Sequence, residues 1–126
     1  MTNETESLLQ QAGIDTKEAL NRFLGNETLY LKFLLKFPQD KSYASLMEVM
    51  CISDSSDRAE REAFSLAHTL KGVAGNLSLV RLYQALGPYV EALRMGNVEA
   101  AKERQAPVEE AYEIVIEVIE RLRIMG

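Results

Sequence analysis

His68 is the only histidine of the chain, and its neighbours favour nucleophilic chemistry. Free imidazole has a pKa of about 6.5, so near pH 7 an unprotonated ring nitrogen is available as a nucleophile. Lys71 follows at i+3, where a helix would place its cation near an anion attached to the ring. Gly72 at i+4 omits the side chain that would crowd such a group. A lone histidine with a nearby cation, and without a catalytic acid, base or metal set, predicts a phosphoryl carrier.

The stretch around His68 combines this chemistry with an ordinary helical core pattern. Apolar residues recur at steps of three and four, which predicts a helix over about residues 58–76 with the stripe Ala63, Leu66, Leu70, Val73 and Leu77. At roughly 100° per residue, His68 lies about 160° from Leu70 and should face solvent. Its face of the helix also carries Arg61, Ser65, Gly72 and Gly75. Each glycine costs roughly 1 kcal/mol against alanine in a helix, so we expect a partner to approach there.

The same periodicity predicts the elements that surround this helix. Further helices are expected over about residues 4–11, 15–25, 26–37, 42–52, 78–95, 98–105 and 107–122. The third should bury Leu29, Tyr30, Phe33, Leu34 and Phe37. The helix after His68 should bury Leu79, Leu82, Leu86, Val90 and Leu93. The last should form a heptad seam with Val108, Ala111, Tyr112, Val115, Val118, Ile119 and Leu122.

Capping residues set the expected helix ends. Asp15 and Asp57 each precede a glutamate three residues later, as in a capping box, with a turn over residues 53–57 before the His68 helix. Asn26 and Ser78 are further expected N-caps. Pro38 should end the third helix, because the residue before a proline is disfavoured in the helical region.

These elements predict an all-α fold. No segment alternates as a strand would, and the chain's 126 residues suit a single domain over residues 1–126. Four longer amphipathic helices joined by short turns predict an antiparallel up-and-down four-helix bundle with short N-terminal accessory helices. A fully paired core of that kind predicts a monomer.

Composition narrows the possible partners and compartments. The chain is 47% hydrophobic and 26% charged, and its net charge of −5 argues against binding a nucleic-acid backbone. No apolar run reaches a membrane span, and the acidic start differs from a signal peptide, so we expect a cytoplasmic protein with no membrane partner. Cys51 lies among apolar residues and is expected to be a buried thiol.

Several kinds of active site are disfavoured by the residues themselves. Gly72 and Gly75 lie inside a predicted helix rather than between a strand and a helix, so they do not suggest an ATP loop. One histidine and one cysteine far apart cannot form a zinc set, and we expect no bound metal or cofactor. The carboxylates Glu109, Glu110, Glu117 and Glu120 lie on the predicted solvent face of the last helix.

The residues from Ala67 to Gly75, Ala-His-Thr-Leu-Lys-Gly-Val-Ala-Gly, resemble the AHxLKGxAG signature of histidine-containing phosphotransfer (HPt) domains of multistep phosphorelays. Similarity continues in Gly13-Ile-Asp15, in Gly25-Asn26-Glu27 and in the stretch from Val90 to Asn97, so that it covers about residues 12–122. The resemblance implies that His68 is phosphorylated, that Lys71 steadies the phosphoryl group and that Gly72 leaves room for a receiver-domain aspartate.

The resemblance also implies the partners. These would be response-regulator receiver domains and a hybrid sensor histidine kinase, and the receiver would bring Mg²⁺, since no acidic cluster accompanies His68. Several members orient the imidazole with a glutamine on the next helix, at the position of apolar Val90 here. Gln84 and Glu91 are the polar residues nearby.

Two other functions are consistent with the same residues. The first alternative is a non-catalytic helical docking or adaptor protein, which binds a partner through an exposed patch of Phe64, Ser65, Gly72 and Gly75. In that function His68 never carries phosphate. An HPt domain fused to a kinase core is disfavoured, because the sequence holds no ATP-binding residues.

Overall fold

The computed structural model describes residues 1–51 and 56–125, and these residues form an all-helical structure, as predicted. The helices are α1 (Asn3–Gln11), α2 (Thr16–Arg22), α3 (Glu27–Lys36), α4 (Ser42–Cys51), α5 (Asp57–Asn76), α6 (Val80–Arg94), α7 (Val98–Glu103) and α8 (Gln105–Met125). A 3-10 turn, Phe37–Gln39, follows α3. Within the described ranges, no helix combines the length and apolar character needed to cross a bilayer.

The core forms between α5 and the helices around it. The helix α5 packs against α4 and α6, and α6 also contacts α7 and α8. The rings of Tyr43 in α4 and Tyr112 in α8 stack with centroids 3.6 Å apart, which joins the first and last of these helices. The predicted inward positions of α6 are all buried, and α8 buries Val108, Ala111, Val115, Val118 and Ile119 of its seam.

The buried faces of α3 and α5 are shifted from the predicted stripes. In α5 the buried residues are Ala63, Ala67, Leu70 and Ala74, followed by Leu77 just after the helix, while Leu66 and Val73 are half-buried. In α3, Leu29 and Phe33 were predicted to be buried but are 39% and 47% exposed. This short outer helix buries a narrower stripe, in which only Tyr30 and Leu34 are fully covered.

The helix starts confirm two predicted caps and correct a third. The side chains of Asp15 and Asn26 accept hydrogen bonds from the third residue after each, at 3.0 Å. The second half of the capping box predicted at Asp15 does not form, because the Asp15 N–H donates to the Ser78 carbonyl and not to Glu18. The predicted capping box at Asp57 is wrong: Ser56 is extended and its Oγ accepts from the Ala59 N–H, whereas Asp57 is already helical. Of the turn predicted before α5, residues 52–55 lie outside the described residues.

Two further local predictions are also corrected. The third helix ends at Lys36, before Pro38, as predicted, but Phe37 does not leave the helical region. It keeps helical angles (φ −52°, ψ −42°), because Pro38 sits in the first turn of the 3-10 segment, where a proline is tolerated. Cys51 is exposed rather than buried. It is the last residue of α4, beyond the buried position at Leu46.

Ser78 is not an N-cap but the pivot of the turn between α5 and α6. Its φ of 56° lies in the left-handed region that favours glycine, and the residue is buried. The segment before α2 holds this turn, because the Asp15 N–H donates to the Ser78 carbonyl at 3.0 Å and the Arg81 N–H donates to the Gly13 carbonyl at 3.1 Å. The Ser78 hydroxyl also donates to Glu18 at 3.1 Å.

We predict that Gly13→Ala destabilises the protein far more than Gly25→Ala. Both glycines have left-handed backbones (φ 77° and 80°), so each alanine costs about 1 kcal/mol or slightly more for conformation alone. A Cβ at Gly13 would also lie 2.4 Å from the Cβ of Arg81, whereas none of the structure lies within 4 Å of one at Gly25. We expect this overlap to add about 1–3 kcal/mol, measured by urea unfolding. Equal losses in the two variants would contradict this tight docking.

Candidate functional site

His68 lies near the middle of α5 with its side chain exposed to solvent, as the periodicity predicts. Its imidazole stacks on the ring of Phe64, one turn earlier, with centroids 5.8 Å apart and planes 13° from parallel. Among residues 1–51 and 56–125, no group hydrogen-bonds to either imidazole nitrogen. Stacking therefore orients the ring while both nitrogens remain open to a reactant.

Lys71 is held by an aromatic ring from the neighbouring helix. Its Nζ lies 5.1 Å from the centroid of Tyr83 in α6, within the range of a cation–π interaction. In the part of the chain that the structure describes, no carboxylate pairs with this ammonium group. The charge of Lys71, which lies one turn along α5 from His68, is therefore not neutralised by an ion pair in the described residues.

Tyr83 was not found from the sequence. Its approach to Lys71 depends on the register between α5 and α6, which periodicity within either helix does not contain. The sequence does show a lysine in one predicted helix and aromatic residues in the next. Which aromatic residue contacts the lysine can be predicted only when the turn between the two helices is known.

The two glycines on the His68 face have different surroundings. A Cβ built at Gly72 meets none of the structure within 4 Å, so the space beside His68 is open. A Cβ at Gly75 would lie 3.2 Å and 3.3 Å from Cε2 and Cδ2 of Tyr83. The missing side chain at Gly75 thus lets Tyr83 pack closely on α5.

None of the three α6 positions considered for an orienting role contacts the imidazole through a hydrogen bond. Val90 is buried in the core. Gln84 is exposed and lines a cleft of about 530 Å³ together with Gly72, Gly75 and Tyr83.

Glu91 is occupied by a different partner. Its carboxylate accepts from the Nε of Arg94 at 3.0 Å. This hydrogen bond holds the pKa of Glu91 below its ordinary value, and the positive charges of Arg94, Lys71 and Arg104 act in the same direction. Glu91 is therefore charged at neutral pH and is hydrogen-bonded to Arg94 and not to the imidazole.

The amino-terminal side of the site is a mixed-charge groove. Phe64 is half-buried and lines a space of about 290 Å³ with Arg61 and Arg94, and with Asp57 and Glu60 on the same groove. Ser65, the residue after Phe64, is exposed. Across the described ranges, no cluster of three or more histidine, cysteine or acidic side chains is arranged to hold a metal ion.

Comparisons with protein-family models, with curated proteins and with solved structures find no match for this chain. The resemblance to HPt domains therefore rests on the motif from Ala67 to Gly75 and on the flanking similarities.

We predict that Phe64→Leu changes the environment of the imidazole without unfolding the protein. Leucine retains most of the packing of a half-buried phenylalanine, so the stability loss should stay below about 1.5 kcal/mol. Since His68 is the only histidine, its ring C–H signals are unambiguous in proton NMR. Those signals should move in Phe64→Leu and stay unchanged in Phe33→Leu, a control at an exposed aromatic residue of α3. Unmoved signals in Phe64→Leu would contradict the stacking.

Proposed function

We propose that this protein is a phosphorelay intermediate of the HPt kind. An unprotonated ring nitrogen of His68 attacks the phosphorus of an aspartyl phosphate on a receiver domain. A P–N bond forms, the P–O bond to the aspartate breaks, and the carboxylate leaves with its electron pair. The phosphohistidine then passes the group to the aspartate of another receiver by the reverse exchange. The protein has no ATP-dependent activity in this scheme.

The observation that carries the proposal is that the His68 imidazole is exposed and not hydrogen-bonded within the described residues, with the cation Lys71 one turn away. The imidazole is exposed and no described residue hydrogen-bonds to its nitrogens, while Gly72 leaves open space one turn further along. Lys71 is a cation without a carboxylate partner in the described residues. Phosphorylation would add up to about two negative charges to the ring, and Lys71 can offset part of them.

The fold we propose for this role is an up-and-down four-helix bundle. Its members would be α4, α5, α6 and α8, and α1 to α3 would be accessory helices. The contacts from α4 to α5, from α5 to α6 and from α6 to α8 support this arrangement, and so does the stacking of Tyr43 on Tyr112. In such a bundle the outer face of α5 is accessible to a receiver domain.

The proposed partners are response-regulator receiver domains and a hybrid sensor histidine kinase. The receiver would bring the Mg²⁺ that neutralises charge during transfer, and this chain would contribute the nucleophile and one cation. We propose that the protein acts as a monomer in the cytoplasm.

We predict that His68→Gln abolishes phosphate uptake and retains the helical circular-dichroism spectrum. Phosphoramidate serves as a small donor that needs no partner, and receiver domains charged with labelled acetyl phosphate serve as protein donors. Wild-type protein should acquire an acid-labile label from both donors. Thr69→Ala, at an exposed hydroxyl next to the histidine, should still be labelled. Label retained by His68→Gln would overturn the proposal.

We predict that Gly72→Ala stabilises the protein and slows transfer from a receiver. Alanine in a helix gains about 0.5–1 kcal/mol over glycine, and no atom obstructs it here. The added methyl group would narrow the approach to His68, so transfer from a receiver should slow more than labelling by phosphoramidate. Unchanged transfer from the receiver in the stabilised variant would remove the assigned role of Gly72.

A helical docking protein is the second candidate, and one observation favours it. An imidazole that accepts a phosphoryl group is expected to be oriented by a hydrogen bond from a neighbouring side chain. Among the described residues, none makes such a hydrogen bond to His68. This function predicts binding of a receiver to the face of Phe64 and Ser65 without any phosphohistidine. Detection of the P–N bond in wild-type protein would exclude it.

A further inference from the structure

The contact between Lys71 and Tyr83 has a feature that an ion pair would lack. A carboxylate at Lys71 would neutralise the ammonium group and would compete with any phosphoryl group for it. The tyrosine ring attracts the cation through its π face and leaves its charge intact. An ammonium group has three N–H donors, so those turned away from the ring stay free for phosphoryl oxygens.

The position of the Tyr83 ring is itself determined by the helix pair. Gly75 allows the ring to lie directly on α5, since any Cβ there would be 3.2 Å from Cε2. The turn at Ser78 sets the register that brings α6 back along α5 at this point. Tyr83 is 44% exposed and is therefore not part of the core. Its ring contacts the ammonium group of Lys71 between α5 and α6.

A second charged side chain acts on Lys71 electrostatically. Glu91 in α6 is close enough to Lys71 that the ammonium charge contributes to the lowered pKa of this carboxyl. Glu91 is nevertheless hydrogen-bonded to Arg94 rather than to Lys71. The Lys71 side chain therefore contacts the ring of Tyr83 and forms no ion pair with the nearby Glu91 carboxylate.

We propose that Tyr83 is a positioning residue for phosphoryl transfer, which it assists by restricting the side chain of Lys71, one turn along α5 from His68. This role rests on the proposed function. A free lysine side chain loses considerable rotamer entropy when it is fixed on an anion, and prior confinement by Tyr83 reduces that loss. Tyr83 acts through Lys71 and does not itself contact the phosphoryl group.

The test is a double-mutant cycle with Tyr83→Leu and Lys71→Ala, together with Tyr83→Phe as the conservative variant. Phenylalanine retains the π face and leucine removes it. An exposed cation–π contact corresponds to a factor of about two to five, so Tyr83→Leu should slow labelling by a receiver by that factor. Tyr83→Phe should retain the wild-type rate within about twofold.

The cycle separates positioning from docking. In the Lys71→Ala background, Tyr83→Leu should cause no further loss, because the residue that it positions is gone. An equal loss in both backgrounds would overturn the proposal and would make Tyr83 a docking contact. An unchanged or faster rate in Tyr83→Leu would overturn it as well.

An NMR measurement distinguishes failure of this inference from failure of the proposed function. The ε-methylene protons of Lys71 should show a ring-current shift in unphosphorylated wild-type protein and in Tyr83→Phe, and should lose it in Tyr83→Leu. No shift in wild-type protein would overturn the inference while phosphohistidine formation still supports the proposed function. A retained shift with no phosphohistidine in any variant would overturn the proposed function, and the positioning role with it.

Discussion

The close packing of α5 and α6 determines the geometry of the face that carries His68. The two helices approach at Gly75, where the ring of Tyr83 lies directly on the helix backbone, and they are joined by a turn whose pivot, Ser78, has a left-handed backbone. A serine there is held by its surroundings: its carbonyl accepts from Asp15 and its hydroxyl donates to Glu18. The buried hydroxyl of Tyr30 in α3 donates to the Leu77 carbonyl at 2.8 Å. The amino-terminal helices therefore maintain the register on which the site depends.

The charged side chains around His68 differ in the groups that they contact. Glu91 and Arg94 are hydrogen-bonded to each other, and the groove beside Phe64 is lined by both positive and negative side chains. Lys71 differs, since its contact is with an aromatic ring. Under the proposed function, His68 would be the nucleophile and Lys71 the cation, and a receiver domain would supply the acidic residues and the metal that phosphoryl transfer also needs.

The helices and the exposed face were predictable because they depend on local spacing. The stripe of α6 and the outward position of His68 follow from a period of 3.6 residues, and Asp15 and Asn26 cap their helices through contacts three residues away. The predictions were wrong where residues distant in the sequence determine the local conformation or the burial of a side chain. The turn at Ser78 is hydrogen-bonded to the segment before α2, and Phe33 packs against Phe23 but remains 47% exposed.

The same distinction applies to the candidate site. His68, Lys71 and Gly72 lie within one stretch of a single helix, so their relation could be predicted from the sequence. Tyr83 belongs to the next helix and reaches Lys71 only through the register of the pair. Glu91 is near the site, but its hydrogen bond to Arg94 removes it as an orienting group for the imidazole.

The central claim is that His68 both receives and gives a phosphoryl group, and ³¹P NMR tests both halves in one sample. Wild-type protein mixed with a phosphorylated receiver domain should develop an N-phosphoryl signal. Addition of excess unphosphorylated receiver with Mg²⁺ should then remove that signal and return phosphate to an aspartyl phosphate. If no P–N signal forms, or if it forms and cannot be discharged by any receiver, the protein is not a phosphorelay intermediate.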